Sequence, residues 1–321
     1  MESCSTTAGI CSPARPRSLA VFGAGYVGGA FVAEALARGW QVAALTRNAA
    51  QAAALRAAGG ATVVEADLAS EAWHAEFHGP FDCVLDCVSA GGGGAVAYRR
   101  SYVDGLRSIG RWLATQPAGG TIVYTSSTGV YPQGGGSRVT EAASTDDASA
   151  TGQVLREAEQ ELARAAPAAG WRWFVLRLAG IYGPGRHGLL DQFRAGARAL
   201  SGDPAYHLNL IHRDDVVGAA WSCLGAPAGV RDRIFNVADG APAPRAEVAA
   251  WLAARLGVAC PPFGDTAAAA GANPFRGRAR APDRRIVADE IRRRLGWAPR
   301  YPDFRAGYEA ILGGALTTED R

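Results

Sequence analysis

The stretch Leu19-Ala20-Val21-Phe22-Gly23-Ala24-Gly25-Tyr26-Val27-Gly28 decides the fold of this chain. Its first four residues are apolar and suit a buried strand, and its three glycines have the spacing of a loop that leads from a strand into a helix. Such glycines permit a tight turn, let the backbone approach a diphosphate and bring helix and strand close together. The N-terminus of the helix adds unpaired N–H groups that attract anions. The stretch therefore predicts a site for the pyrophosphate of a dinucleotide, formed by Gly23, Gly25, Tyr26, Val27 and Gly28.

Short apolar runs alternate with alanine-rich amphipathic segments after this loop, which is typical of β-α-β units and a parallel sheet. The pattern predicts strands at 19–22, 41–46, 62–65, 81–88, 121–126, 171–178 and 234–238. It predicts helices at 26–38, 49–58, 95–115 and 151–165. These elements form an α/β fold with a doubly wound parallel sheet, the Rossmann fold.

The predicted dinucleotide-binding domain covers residues 19–183 and includes a later strand, near 233–239, that returns to its sheet. Pro and Gly interrupt shorter elements after residue 183, so residues 184–321 are predicted to form mainly a smaller C-terminal lobe that binds substrate. Residues 1–18 are rich in Ser, Thr, Cys and Pro and are predicted to be a disordered leader.

Composition narrows the class of protein. The chain has 321 residues, of which 48% are hydrophobic and 20% charged, as in ordinary globular proteins. No apolar run approaches the roughly 18 residues of a membrane span. Its net charge of +3 does not call for nucleic acid, and the arginines at 276, 278, 280, 284 and 285 lack interleaved aromatic residues. Six cysteines without a paired Cys-x-x-Cys pattern predict no metal site and fit a reducing cytoplasm.

Residues after the predicted strands bear on which dinucleotide is bound. An NAD-preferring site places a carboxylate at the end of the second strand, against the ribose 2′-hydroxyl. This chain has Arg47 there, and a guanidinium suits a 2′-phosphate, so NADP(H) is predicted in preference to NAD(H). The other predicted cofactor contacts are Asp67, Leu68, Ser89, Ala90 and Ser126.

With these motifs the chain resembles the extended short-chain dehydrogenase/reductase superfamily, in particular its NAD-dependent epimerase/dehydratase group, which acts on nucleotide sugars. The resemblance covers about residues 19 to 312 and rests on segments 23–28, 67–68, 125–131, 177–186, 211–215 and 235–237. It implies that a hydroxyl after the fifth strand orients the substrate, and the register assigns this role to Ser127. It also implies a Tyr-x-x-x-Lys motif, whose tyrosinate is the general base.

This chain departs from the family pattern at that motif, because Thr151 stands at the tyrosine position and Leu155 at the lysine position. A threonine hydroxyl is far less acidic than a phenol, and leucine cannot lower the pKa of a neighbour. The glycine loop also has a shorter spacing than the GxxGxxG of the extended group. The sequence therefore predicts an atypical member of the family.

Other side chains in loops at the predicted carboxyl edge are candidates to replace the missing pair. Tyr131 and Tyr182 are candidates for proton transfer, with ordered water as the alternative, while Arg186 and His187 are predicted to contact an anionic substrate. His212 is interpreted as a structural histidine.

Two functions follow from these residues. The first is an NADP(H)-dependent oxidoreductase or epimerase-like enzyme that acts on a nucleotide sugar or a related small carbonyl or alcohol. The second is a non-catalytic NADP(H)-binding sensor or scaffold, for which the missing Tyr and Lys are the main argument. The resemblance also allows a homodimer, whereas nucleic acid and membranes are not expected as partners.

Overall fold

The computed structural model describes residues 17–91, 94–264 and 282–316. Most of the predicted leader and the arginines at 276, 278 and 280 lie outside the described residues. Ser18, which was placed at the end of the leader, is instead the first residue of a strand, where its side chain is buried and bonded to Asp82.

The elements are numbered in chain order. The strands are β1 Ser18–Phe22, β2 Gln41–Thr46, β3 Ala61–Glu65, β4 Cys83–Asp86, β5 Thr121–Ser127, β6 Ser137–Val139, β7 Arg172–Leu178, β8 Gly180–Tyr182, β9 His207–Leu208, β10 Leu210–His212, β11 Arg233–Val237, β12 Ala243–Pro244 and β13 Arg284–Ile286. The helices are α1 Tyr26–Ala37, α2 Ala49–Ala58, α3 Gly94–Tyr98, α4 Gly105–Leu113, α5 Ala150–Ala168, α6 Leu189–Arg194, α7 Arg213–Leu224, α8 Arg245–Leu256, α9 Asp289–Leu295 and α10 Phe304–Leu316.

Seven parallel strands form the main sheet in the order β11-β7-β5-β4-β1-β2-β3. The order reverses between β1 and β4, and in open α/β sheets the crevice beyond the carboxyl ends of the strands at such a point receives the ligand. The predicted doubly wound Rossmann fold is confirmed.

Two predicted elements differ from the structure near this crevice. The fourth strand ends at Asp86 instead of continuing to residue 88, because the backbone of Val88 turns against Gly23. The single helix predicted over 95–115 is divided into α3 and α4 by a π-helical turn, Arg99–Asp104. Such turns insert one residue into the helical ladder, and periodicity alone does not reveal them.

The buried apolar side chains form two clusters. The larger one joins both faces of the sheet to α1, α4, α5, α7 and α9, for example through Phe31, Trp112 and Ile291. The smaller one joins Tyr182 to side chains of α6, α8 and α10. Two helices that follow residue 183, α7 and α9, therefore pack on the sheet. Their N-terminal residues lie near the carboxyl ends of its strands. The predicted division at residue 183 stays a prediction.

Candidate functional site

The glycine loop lies at the carboxyl end of β1, and its three glycines meet three different constraints. Gly23 has a φ of +83°, and a Cβ there would lie 2.6 Å from the backbone nitrogen of Val88. A Cβ at Gly28 would lie 2.3 Å from the carbonyl oxygen of Gly23. At Gly25, which caps α1 and is exposed, a Cβ would meet no heavy atom of the described residues within 4 Å, its chain neighbours aside.

The loop therefore fits a diphosphate. Packing excludes a side chain at Gly23 and Gly28, whereas the space over Gly25 is open to a ligand. The first-turn amides of α1, those of Tyr26 and Val27 among them, have no acceptor within the helix and face this space as donors.

Arg47 extends from the end of β2 to the segment that follows β4. Its Nη2 atom donates to the carbonyl oxygens of Ala90, at 2.9 Å, and of Ser89, at 3.2 Å. The exposed guanidinium thus lies at the start of the loop after β4, which contains Ser89 and Ala90. The structure brings these two predicted cofactor residues together with Arg47. All three lie beyond the carboxyl ends of β2 and β4, on the same edge of the sheet as the glycine loop.

Asp67 and Leu68 have local partners in the structure. The Asp67 carboxylate accepts from the Ala69 amide and from Arg100, 2.9 Å away in the π-helical turn. Burial opposes its ionisation, but these two donors outweigh that effect and lower the pKa of Asp67. Leu68 is buried beneath Gly105. Both residues hold the π-helical turn against the end of β3.

Ser126 and Ser127 end β5 and point to opposite faces of the sheet, as successive strand residues must. The Ser126 hydroxyl is buried and donates to Glu159 of α5 at 2.6 Å. Ser127 is partly exposed, and its hydroxyl accepts from the Gly129 amide at 3.0 Å. Of the two hydroxyls, that of Ser127 is placed to meet a ligand, whereas that of Ser126 belongs to the interior.

The interior contains a polar network that the sequence did not predict. Arg177 of β7 binds both carboxylate oxygens of Glu159, at 2.6 and 3.0 Å, and donates to the Tyr131 hydroxyl at 2.9 Å. That hydroxyl donates in turn to Asn236 of β11 at 2.7 Å. Burial would lower the pKa of Arg177, but Glu159 and Tyr131 raise it above its ordinary value. We call these four residues, with Ser126, the buried network.

The network determines what Tyr131 can do. Its side chain is 1% exposed, and its hydroxyl both donates and accepts within the network. Burial raises the pKa of Tyr131, and the attraction of Arg177 only partly opposes this. Arg284 also donates to the Tyr131 carbonyl oxygen. The structure therefore gives no support to direct proton transfer by Tyr131 and favours a positioning role.

Tyr182 is also buried, at the end of β8. Its ring contacts Tyr308 and His212, and its hydroxyl is 3.5 Å from the carbonyl oxygen of Asp303. Burial raises the pKa of Tyr182 far above that of a free phenol. The predicted proton transfer by Tyr182 finds no support in this arrangement either.

Thr151 lies in the first turn of α5, beside the loop that carries Ser127. The two segments touch closely, since a Cβ at Gly152 would lie 2.7 Å from the Gly129 carbonyl oxygen. The Thr151 hydroxyl is 3.3 Å from that of Ser149, the N-cap of the helix. Leu155 is 4% exposed and packs in the core. The helix thus presents a weakly acidic hydroxyl near Ser127 and no cation one turn later.

The loop after β8 carries the two predicted substrate contacts, Arg186 and His187, and their side chains have different neighbours. The His187 ring bonds Asp191 through Nδ1 at 2.8 Å and accepts from the Gly185 amide through Nε2 at 3.1 Å, so both of its nitrogens stabilise the loop. The Arg186 guanidinium carbon lies 5.7 Å from the ring centroid of Tyr26 in the glycine loop. Arg186 is therefore closer to a ligand at that loop than His187 is.

His212 ends β10 and caps α7 by accepting from the Asp214 amide through Nδ1. This contact agrees with its interpretation as a structural histidine. Three residues after His212, Asp215 accepts from the amides of Arg300 and Tyr301, and burial raises its pKa to about 6. No group of His, Cys, Asp and Glu suited to a metal ion occurs in the part of the chain that the structure describes, and no helix there could cross a bilayer.

Comparison with known proteins agrees with this architecture. The model of the NAD dependent epimerase/dehydratase family matches residues 20–238. Protein YeeZ of Escherichia coli (strain K12) is 33% identical over 182 residues, which are 57% of this chain and 59% of that protein. The chain thus aligns with less than two thirds of the length of this curated relative.

Solved structures extend the likeness of fold to nearly the whole chain. A functionally unknown conserved protein from Silicibacter pomeroyi DSS is 26% identical with a TM-score of 0.71, covering 93% of this chain and 99% of that one. The dTDP-glucose 4,6-dehydratase of Bacillus anthracis str. Ames, solved in complex with NAD, is 16% identical with a TM-score of 0.76, covering 95% and 98%.

The glycine geometry predicts different costs for two alanine substitutions. Gly28→Ala should lower the free energy of unfolding by about 1–3 kcal/mol, because its methyl group would overlap the Gly23 carbonyl. Gly25→Ala should cost less stability but weaken NADPH binding, because its methyl group enters the open space. Urea unfolding and calorimetric titration measure both effects. Equal destabilisation by the two substitutions would contradict this division of roles.

The buried network predicts a large loss of stability when its carboxylate is removed. Glu159→Ala leaves the Arg177 guanidinium buried without its counter-charge, so we expect a loss of about 3–5 kcal/mol in urea unfolding. Glu157→Ala is the matched control, because Glu157 lies on the same helix and pairs with Arg99 at the surface. The control should lose far less. Similar losses for both variants would show that the buried ion pair contributes no more to the free energy of unfolding than a surface pair does.

Proposed function

Because this chain belongs to the NAD dependent epimerase/dehydratase family, we propose that it is an NADP(H)-dependent oxidoreductase or epimerase-like enzyme. One observation carries the proposal: the glycine loop, Arg47 and Ser127 lie at the carboxyl ends of β1, β2 and β5, along one edge of the sheet. A dinucleotide bound over the loop can follow this edge in both directions, with its adenine half toward β2 and its nicotinamide half toward β5.

Arg47 supports NADP(H) as the cofactor. Its guanidinium is exposed and is held at the end of β2 by two carbonyl oxygens, which leaves its remaining N–H groups to a 2′-phosphate. The described residues beside it, Asn48 and Gly91, are uncharged, and the Asp67 carboxylate, whose pKa Arg47 helps to lower, is paired with Arg100. The dinucleotide, when bound, supplies the hydride acceptor or donor.

Ser127 is the residue that we propose to orient the reacting oxygen. Its hydroxyl accepts from the Gly129 amide, so its proton remains for a substrate oxygen. Arg284 holds the turn after Ser127 in place, because it donates to the carbonyl oxygens of Thr128, which begins the turn, and of Tyr131, which follows it. We propose that water exchanges the proton, since both predicted tyrosines are buried.

A nucleotide sugar, or a related small carbonyl or alcohol, is the substrate that we propose. A structural neighbour that shares the fold is a dTDP-glucose dehydratase, and Arg186 of this chain lies near the glycine loop with a charge that suits an anionic substrate. We place the protein in the cytoplasm. A homodimer through α4 and α5 would have to accommodate the surface ion pairs that Arg99 and Arg107 form with Glu157 and Glu161.

A non-catalytic NADP(H)-binding sensor is the second candidate function, and one observation favours it. Leu155 is buried at the position of the family's lysine, and Thr151 replaces the phenol, so the described site lacks the usual acid/base pair. Such a protein would bind the dinucleotide at the same edge and change its C-terminal surface without turnover.

The Arg47 assignment predicts a selective loss of affinity. Arg47→Ala should weaken NADP+ binding by roughly tenfold or more, because a charge-assisted contact with the 2′-phosphate is lost, and should leave NAD+ binding nearly unchanged. Calorimetric titration of both dinucleotides measures this. Arg38→Ala is the control, because Arg38 is an exposed arginine that follows α1, at the far end of that helix from the glycine loop. An equal loss for NADP+ and NAD+ would contradict the assignment.

Turnover separates the two functions. If the protein is an enzyme, it should either oxidise or form NADPH with a member of a panel of nucleotide sugars and small carbonyls, or convert a member to an isomer or dehydrated product with no net change in NADPH. Ser127→Ala should lower kcat of that reaction by about 10²-fold or more while NADPH affinity is retained. Ser144→Ala, an exposed serine of the following loop, is the control. Tight NADPH binding without turnover of any panel member would favour the sensor.

A further inference from the structure

Tyr26 lies between two arginines that come from the other side of the crevice. Its ring centroid is 5.4 Å from the guanidinium carbon of Arg213 and 5.7 Å from that of Arg186. Arg213 is the first residue of α7 and Arg186 follows β8, whereas Tyr26 is the first residue of α1. Two cations thus meet the turn of α1 whose amides face the open space over Gly25.

Two polar atoms at this junction are buried and have no hydrogen-bond partner among the described residues. One is the Tyr26 hydroxyl and the other is Nε2 of His212, whose side chain is 2% exposed. Because Nδ1 of His212 accepts from the Asp214 amide, the proton of the neutral ring lies on Nε2. His212 therefore offers an N–H donor with no acceptor.

Gly183 brings these atoms together. Its φ is +149°, and a Cβ built on it would lie 2.8 Å from the Tyr26 hydroxyl and 3.3 Å from Nε2 of His212. It would also lie 3.2 Å from Cβ of Arg213. The absence of a side chain at Gly183 thus lets the loop after β8 close on the turn of α1, with both polar atoms beside the backbone of Gly183.

The charges at this junction favour an anion. Arg213 is paired with Asp214 through a single carboxylate oxygen at 2.9 Å, and a guanidinium has five N–H donors, so the pair leaves donors for a second acceptor. Arg186 adds a second positive charge. Burial lowers the pKa of His212 and favours its neutral ring. Among the described residues, Arg186, Arg213 and Asp214 are the charged groups that act on the Tyr26 hydroxyl, so two positive charges meet one negative charge there.

We propose that Arg186, Arg213 and the Nε2–H group of His212 form a second anion site around Tyr26, which receives a phosphate of the ligand bound over the glycine loop. The proposal rests on the proposed function, because it needs a phosphate-bearing ligand at that loop. The group that this site would bind is a diphosphate, and two ligands carry one: the dinucleotide, as its pyrophosphate, and a nucleotide-linked substrate. In both cases α1 binds the anion with its amides and the facing loop binds it with guanidinium groups.

Such a site would link ligand binding to the loop after β8. That loop is held by the paired backbone bonds between Gly183 and Arg186 and by the ring of His187, so a phosphate bound by the Arg186 guanidinium would be tied to a fixed turn. Arg213, in contrast, is anchored on a helix and needs only a side-chain rotation away from Asp214. We therefore assign the larger share of the affinity to Arg213.

Calorimetric titration of the full chain with NADPH, NAD+, inorganic pyrophosphate and UDP-glucose tests the site. Arg213→Gln should weaken pyrophosphate binding by about tenfold or more, and Arg213→Lys should recover part of the loss because its charge remains. Arg231→Gln is the matched control, because Arg231 forms the same kind of pair with its neighbour Asp232 at 3.0 Å, away from the crevice. The control should bind all four ligands as the unaltered protein does.

The four ligands distinguish the two sources. A loss for both dinucleotides assigns the site to the cofactor, and a loss for UDP-glucose alone assigns it to the substrate. Thermal unfolding of each variant without ligand identifies any effect that comes from the fold, and Arg186→Gln then supplies a second variant. Unchanged affinity for all four ligands in the Arg186→Gln, Arg213→Gln double variant would overturn the proposal.

Failure of this site differs from failure of the proposed function. If the unaltered protein binds NADPH and the double variant binds it equally well, the anion site is wrong and the function stands. If the unaltered protein binds pyrophosphate through Arg213 but neither dinucleotide, the anion site stands and the function is wrong. If it binds none of the four, both are wrong.

Discussion

The ion pair between Glu159 and Arg177 fixes the relation of the parts that make up the site. Its two members belong to α5 and β7, and both are almost fully buried. Charges in such a position are costly unless further hydrogen bonds complete them, and here Ser126 and Tyr131 do so. Since Ser126 precedes Ser127 and Tyr131 follows the turn, the pair holds both ends of the segment that carries the candidate substrate hydroxyl. The glycine loop is fixed separately, by the approach of Gly23 to the segment after β4.

Local patterns were sufficient for much of the fold. The bounds of β2 and α2 agree with the sequence because each lies between clear turn residues and has an unambiguous period. The glycine loop and Arg47 could be named as candidates from the sequence because their predicted roles depend on residues close in the chain. The π-helical turn was not found, since it alters hydrogen bonding without altering the apolar pattern.

The buried network could not be predicted from local patterns. Glu159 has acidic neighbours two residues away on each side, Glu157 and Glu161, and nothing in the helix sequence says that it alone faces inward with a charge. The available signal was in the strands, where Arg177 and Asn236 interrupt apolar runs and so require buried partners. Those partners are 18 residues away or more. The same reasoning explains why Tyr131 and Tyr182 looked available in the sequence: both follow strands, but their burial depends on distant elements.

The burial of Leu155 limits which side chains this protein could accept at the position of the family's lysine. A tyrosine at position 151 would stand at the partly exposed start of α5, where the helix meets the turn after Ser127. A lysine at 155, however, would place an ammonium group among the apolar side chains that fill the space between α5 and the sheet. A lysine at this position would thus require repacking of the interior. The core, more than the exposed start of α5, keeps position 155 apolar.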